Sequence, residues 1–410
     1  MKQLSKQKKQ VAILYVSTLV GTVLGVLASI VNTRFLNPAD YGDVRYVQNI
    51  INFAASLLLF GYFLSGSRLL ALSKNKHRSS RIRGAMVVIL GIASIILLVI
   101  TAVSAFFKYN RPEVGWLFIV SLPVCFQPLF LNYINTTAQG DNHIGRLSIA
   151  RLLPVFIYVP IGYYVFSHYG ATSSRLIIYQ WGIYTLIYLA VIVSTKPIFK
   201  DLKPIFKELN EENKTYGLQL YWGSLFMVAS GYLAGIFLGI FNKDNTNVGF
   251  YTLAMTVTAP LAMLPAIVGT TYFKKFANES QIPKKVLKFT IVLTVISCLL
   301  FILLIKPLVS FLYSMHYAPV GAYASWLAIG FSIHGFGDMM NRYLGSHGQG
   351  KQIRNASIAC GIFKIFGFSF LVWLWDINGA LTTVVISDVI YTCLMYFYYL
   401  NFVKYKNNEI

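Results

Sequence analysis

The chain has 410 residues, 56% of them hydrophobic and only 12% charged, where an ordinary soluble domain carries roughly 25% charged residues. A water-soluble fold has no interior able to hide that much apolar surface, which excludes a soluble globular protein. The formal charge of +21 would raise the question of nucleic acid in a soluble chain. Here the basic residues lie between apolar runs, so the charge reads as topology and contact with anionic membrane lipids, with no nucleic-acid partner.

The apolar residues fall into runs of about twenty, the length of a helix that spans the hydrocarbon core. Hydropathy predicts helices over 11–31, 47–70, 85–107, 116–135, 149–166 and 176–193 in the first half of the chain. In the second half it predicts 218–241, 250–273, 286–304, 324–341, 356–375 and 380–402. Lys2, Lys6, Lys8 and Lys9 precede the first run as in a signal peptide, but the run is long and lacks a small-x-small cleavage site, so a retained first helix is expected. Clusters of Lys and Arg fill the connections 71–84, 194–217 and 274–285, while the alternate connections hold at most two each. That asymmetry places both termini in the cytoplasm.

Two halves of six helices follow, 1–197 and 218–410, joined by a linker over 198–217. After predicted helix four the chain reads AQGDNHIGRLSIA, and after helix ten GQGKQIRNASIA. Gln139, Gly140, Arg146 and Ser148 thus answer Gln349, Gly350, Arg354 and Ser357. Gly42 in ADYGDV answers Gly249 in TNVGFY. An ancient duplication accounts for this, and because six is even the repeats run parallel across the membrane. In the linker, Ile198, Leu202, Ile205 and Leu209 recur at helical spacing beside Lys200, Lys203 and Lys207. This fits an interfacial helix with its apolar face in the bilayer and its lysines at lipid phosphates, or a plain solvated linker.

Charge within a span costs at least about 2.5 kcal/mol and asks for a reason. Lys364 and Asp388 fall at similar depths in helices eleven and twelve and are expected to pair, either as a clamp or as part of a coupled site. In SIHGFGDMMNR, His334, Asp338 and Arg342 share one helical face that should turn to the protein interior. An ordinary imidazole titrates near neutral pH, which makes His334 a candidate for a proton relay, or a hydrogen-bonded core histidine. Arg68 and Arg151 either snorkel to the interface or line an anion-binding vestibule.

Pro123, Pro128, Pro154, Pro160, Pro260 and Pro265 predict bent helices four, five and eight. The four cysteines, Cys125, Cys298, Cys360 and Cys393, fall in apolar spans and read as small buried hydrophobes. No phosphate-binding Gly-rich loop, zinc-ligand spacing, nucleophile elbow or clustered pair of acids occurs, so no cofactor or metal is expected and an enzyme is disfavoured. Transport energy would come from an ion gradient, the membrane potential or the substrate's own gradient.

At RFLNPADYGDV the sequence resembles the polysaccharide flippases of the MOP superfamily, through Arg34, Leu36, Pro38, Tyr41 and Gly42; Asn37 stands where that family commonly has Gly. NVGFYTLAMTVTAPLAMLPAIVGTTYFKKFA, from Asn247, is similar to the helix seven to eight region of the same family. The resemblance covers the whole chain. It implies an all-α polytopic fold of about twelve helices in two parallel halves, in the bacterial inner membrane. The activity it implies is alternating-access movement of an undecaprenyl-diphosphate-linked oligosaccharide through a cationic cavity, feeding O-antigen, capsule or a related polymer. The polymerase and chain-length proteins of such a pathway are the implied partners.

By position, Arg34, Arg45, Arg68, Arg151 and Lys364 are the cations able to meet phosphate. Arg34 and Arg45 are equally well placed to mark only the outer mouth. His334, Asp338 and Asp388 are the ion-coupling candidates. The rivals are a small-molecule exporter of the MATE branch, which shares the fold, and a membrane polymerase or ligase of the same pathway. A major facilitator is disfavoured because SKNKHRSSRIRG lacks that group's Gly-x-x-x-Asp-Arg-x-Gly pattern.

Overall fold

The structure is a computed structural model describing residues 2–108, 110–141 and 143–408, with side chains from Ser17 onward except at 18, 19, 144, 223, 224, 274, 407 and 408. The side chains of Lys2, Lys6, Lys8 and Lys9 lie outside the described set. Among the described residues there are fourteen α-helices and no strand. Six helices are individually long and apolar enough to cross a membrane. The protein is an all-α polytopic membrane protein. It forms two compact units, Met1–Leu225 and Phe226–Ile410.

In the first unit, α1 (Lys2–Phe35) leads into α2 (Pro38–Leu57) through Asn37. Asn37 caps α2: its side chain accepts from the Asp40 amide at 2.8 Å, and Pro38 occupies the first turn where no donor is needed. With φ at −71° this residue needs no glycine. Predicted helix two is two helices, α2 and α3 (Tyr62–Leu72), bent by 58°. Phe60 and Gly61 have positive φ at the break.

Next come α4 (Lys76–Phe106), then α5 (Pro112–Ser121) and α6 (Gln127–Gly140). The last two are predicted helix four, broken around Pro123 with Pro128 opening its second piece. α7 (Ile144–Tyr169) and α8 (Ser173–Ser194) complete the six. Pro154 and Pro160 lie inside the continuous α7, as Pro260 and Pro265 lie inside α11 (Thr246–Phe276) of the second unit.

The linker forms α9 (Lys203–Glu212) and a π-turn, Asn213–Gly217, that runs into α10 (Leu218–Phe241). Of its four predicted apolar positions, Ile198 and Leu202 are half-buried. Ile205 and Leu209 are buried in the protein, while Lys200, Lys203 and Lys207 are exposed. The helix ends beside the basic connections of the unit are tied by ions: Arg83 donates from Nε and Nη2 to Asp141 at 2.9 and 3.0 Å and from Nη1 to the Thr195 carbonyl at 3.0 Å.

The second unit packs around α13 (Pro319–Ser346), between α11, α12 (Lys284–Leu312) and α14 (Gly350–Asn408). Gly330, Gly335 and Gly337 let α13 approach its neighbours. A Cβ at Gly330 would sit 3.0 Å from the Val385 Cα, and one at Gly335 would sit 2.8 Å from the Ala262 carbonyl. α14 is predicted helices eleven and twelve joined at Asp376, whose φ of 51° and ψ of −131° break the helix. Asp376 accepts hydrogen bonds from Asn242 at 2.6 Å and from Asn247. α12 runs on to Leu312, beyond the predicted end at 304. The cysteines are free thiols, and Cys393 is exposed where a buried position was expected.

Candidate functional site

Among the described residues, each unit carries a cluster of polar side chains contributed by its long helices. In the first unit, α2 places Tyr41, Arg45 and Gln48 on one face, at i, i+4 and i+7. α1 adds Asn32, α7 adds Tyr158, and α8 adds Gln180 and Tyr184. The Arg45 guanidinium donates from Nη1 to Gln48 Oε1 at 2.7 Å and its Cζ lies 4.8 Å from the Tyr41 ring centroid, a cation–π contact. It is close enough to Tyr158 and Tyr184 to act on both electrostatically. Tyr158 donates to Asn32 Oδ1 and stands edge-on to Tyr184, with centroids 6.2 Å apart.

Among the described residues no carboxylate pairs with Arg45. Its Nε, together with Gln48 Nε2 and Asn32 Nδ2, is buried without a hydrogen-bond acceptor. Arg45 is half-buried, and a donor shut from solvent without an acceptor is costly unless an anion or water completes it. Chemically, the cluster is suited to an oxygen-rich anionic group flanked by rings.

The other cations predicted in this unit stand apart from that arrangement. Arg34 is exposed at the end of α1, and Arg151 is half-buried on α7. Arg68 donates to Glu212 at 2.6 Å, and its guanidinium lies 4.7 Å from the Tyr216 ring. Its charge is matched by the linker.

In the second unit, the expected pairing of Lys364 with Asp388 does not form. His334 takes Asp388 instead, with Nδ1 3.0 Å from Oδ1, and its Nε2 lies 4.0 Å from Asp338 Oδ1. The reason is the glycine-lined contact of α13 with the second part of α14: Gly330 and Gly337 bring His334 against that segment, where it stacks on Tyr391 at 4.7 Å. Tyr391 donates to Asp338 Oδ1 at 3.1 Å and accepts from Asn341 at 2.8 Å. Lys364 is half-buried, without an ion-pair partner among the described residues, and acts on His334 electrostatically. Arg342 leaves the predicted stripe: its stem lies over Gly269 of α11 and the residue is exposed.

Sequence reasoning overlooked Gln48, Asn32, Tyr158, Tyr184, Gln180 and Tyr391. The signal was present in Tyr41, Arg45 and Gln48 recurring along DYGDVRYVQN, but uncharged polar residues in a span do not announce themselves as charges do. No group of three or more His, Cys, Asp or Glu suited to a metal ion occurs among the described residues.

Fold and clusters together define a polytopic membrane protein with the architecture of the MOP superfamily transporters. The chain belongs to the polysaccharide biosynthesis protein family, whose profile matches residues 8–273. No curated protein matches it. Among solved structures it is similar to the lipid II flippase MurJ in an inward closed conformation, with a TM-score of 0.75 at 14% identity, covering 94% of this chain and 87% of that one. An inward-facing multidrug resistance MATE transporter superposes with a TM-score of 0.64 at 16% identity, covering 96% of this chain and 99% of that one. A MOP transporter from Pyrococcus furiosus, described as having a binding pocket of reversed polarity, gives 0.61 at 13% identity, covering 98% and 96%. At these identities the likeness is one of fold.

Proposed function

We propose that this protein is a flippase. It moves an undecaprenyl-diphosphate-linked oligosaccharide repeat unit from the inner to the outer leaflet of a bacterial inner membrane, supplying O-antigen, capsule or a related polysaccharide. Family membership supports the pathway. The observation that carries the substrate class is Arg45: a guanidinium in the first turns of α2, cradled by tyrosines, with unused donors beside it and no carboxylate partner among the described residues. A diphosphate cannot cross hydrocarbon alone, and a positioned guanidinium with neighbouring amide donors matches its oxygens. Lys364 is the second cation in this role, with Arg34, Arg68 and Arg151 as further candidates.

His334, Asp338 and Asp388 are the groups through which a proton would be coupled, because the imidazole is held between two carboxylates and stacked on Tyr391. The same acids favour a second reading, ion-coupled export of a small cation. Transfer of a fluorescent diphosphate-linked oligosaccharide lipid between leaflets of proteoliposomes separates the two. Wild type is expected to move the lipid, and Arg45→Gln is expected to slow it roughly 10- to 100-fold, the equivalent of one lost charge-assisted hydrogen bond. Expulsion of a cationic dye with no movement of the lipid would replace the flippase by the exporter.

A further inference from the structure

The segment after α8 has two chemically opposite faces. Ile205, Leu209, Asn213 and Gly217 recur every four residues, and all four are buried. This stripe lies on the break of helix two. Asn213 is its centre: Nδ2 donates to the Phe60 carbonyl at 3.0 Å, and Oδ1 accepts from Ser65 at 3.0 Å. Tyr221 donates to the Leu57 carbonyl at 2.8 Å, and Tyr62 to Asn210 at 3.3 Å. The acids turn the same way, since Glu212 binds Arg68 and Glu208 binds Arg78.

What remains outward is basic. Lys200, Lys203, Lys207 and Lys214 are exposed, and none has a carboxylate partner among the described residues. Asp201 and Glu211 are the exposed acids among them, so the lysines outnumber the acids two to one. Ile205 and Leu209 are inside the protein and Leu202 and Phe206 are half-buried; Phe199, 57% exposed, can add a ring, but the four lysines dominate this face, which acts chiefly by charge. A leaflet of anionic phospholipid is its electrostatic complement.

We infer that the linker is a latch read by lipid charge: anionic phospholipid on the side of the basic connections binds the lysine face, and so presses the Asn213 stripe onto the break between α2 and α3. Lipid charge then sets how firmly helix two stays bent. The inference is independent of what the protein carries, and its test does not measure transport.

Hydrogen exchange of the full-length protein is compared in nanodiscs of phosphatidylcholine alone and of an equal mixture with phosphatidylglycerol. Each lysine near an anionic surface contributes roughly fivefold, so amides at 205–217 and 58–65 are expected to exchange about tenfold or more slowly in the mixture. High salt should erase the difference. The triple variant Lys200→Gln, Lys203→Gln, Lys207→Gln, altered only on the surface, is expected to exchange alike in both discs. Asn213→Ala keeps the lysines and is expected to retain the lipid effect at 205–212 but lose it at 58–65. Equal exchange of wild type in the two discs, or an undiminished lipid effect in the triple variant, overturns the inference. An effect at 58–65 that survives Asn213→Ala overturns the link to helix two.

Discussion

Gly61→Ala measures how tightly the break in helix two is held. Gly61 has φ of 79°, a left-handed conformation that costs a residue with a Cβ roughly 1–2 kcal/mol. The added Cβ would lie 2.4 Å from the carbonyl carbon of Gly217 and 2.5 Å from its oxygen. Both are backbone atoms, so no rotamer change makes room and the two segments must part. Parting them breaks the bonds from Asn213 to Phe60 and from Ser65 to Asn213, each worth about 1 kcal/mol net.

The sum is a loss of about 3–4 kcal/mol, a large share of a typical folding free energy. Gly91 in α4 is the control, since a Cβ there meets nothing within 4 Å and gains up to about 1 kcal/mol of helix propensity. Unfolding in mixed micelles at rising dodecyl sulfate fraction, followed by tryptophan fluorescence, should give an early midpoint for Gly61→Ala and an unchanged or later one for Gly91→Ala. If Gly61→Ala unfolds within about 0.5 kcal/mol of wild type, the size of an ordinary surface change, the contact is looser than described and the reasoning fails.

Asp141→Ala removes the carboxylate that receives Arg83 and strands a guanidinium only 12% exposed, so a stability loss of about 3–5 kcal/mol is expected in the same unfolding assay. Asp388→Asn removes the ionisable partner 3.0 Å from His334; transport by this variant should lose its pH dependence near neutrality while Tyr391→Phe, which deletes one bond to Asp338, keeps it. Burial, with the Arg111 charge adding to it, holds the Lys108 amine below the ordinary lysine value. At neutral pH the ammonium is charged in both folded and unfolded states and the full penalty is present. As pH rises from the folded value toward the ordinary one, the unfolded chain binds more protons and stability rises. The unfolding midpoint of wild type relative to Lys108→Met should therefore rise across that alkaline window.

Span positions were legible in the sequence because apolar runs of fixed length and the sign of the connections are properties of short segments. The expectation of a repeat rests on two peptides that share Gln-Gly, an Arg and Ser-Ile-Ala. The break in helix four could be read from Pro123 and Pro128, but the break in helix two could not. No proline stands at Leu58, Leu59 and Phe60, and the partner that stabilises that bend, Asn213, lies some 150 residues away in the chain. For the same reason the apolar side of the linker was expected in lipid: periodicity tells that a face is apolar, not what covers it. Charged residues at membrane depth were found by type, yet their pairing was not. Lys364 and Asp388 matched in depth, but the rotation of α13 against α14 is set by Gly330 and Gly337, and it delivers His334 to Asp388 first.

Divergence of the two units is sharpest where their sequences still correspond. Asp141 of the first repeat answers Lys351 of the second in the aligned peptides, and the consequence is a different way of closing the same end of a six-helix bundle. In the first unit Arg83 and Asp141 form a forked ion pair. The second unit uses hydroxyls: Tyr343 donates to the carbonyls of Glu279 and Ser280 at 3.2 and 2.6 Å, and Tyr399 accepts from the Ile282 amide at 3.0 Å. The polar clusters diverge in the same sense, a cation without an acid in the first unit and two acids around an imidazole in the second. A duplicated scaffold with identical halves would have to bind and couple with the same residues. Here the first unit holds a cation without a paired acid among the described residues and the second an imidazole between two acids, the division of labour that the proposed coupled flippase would use.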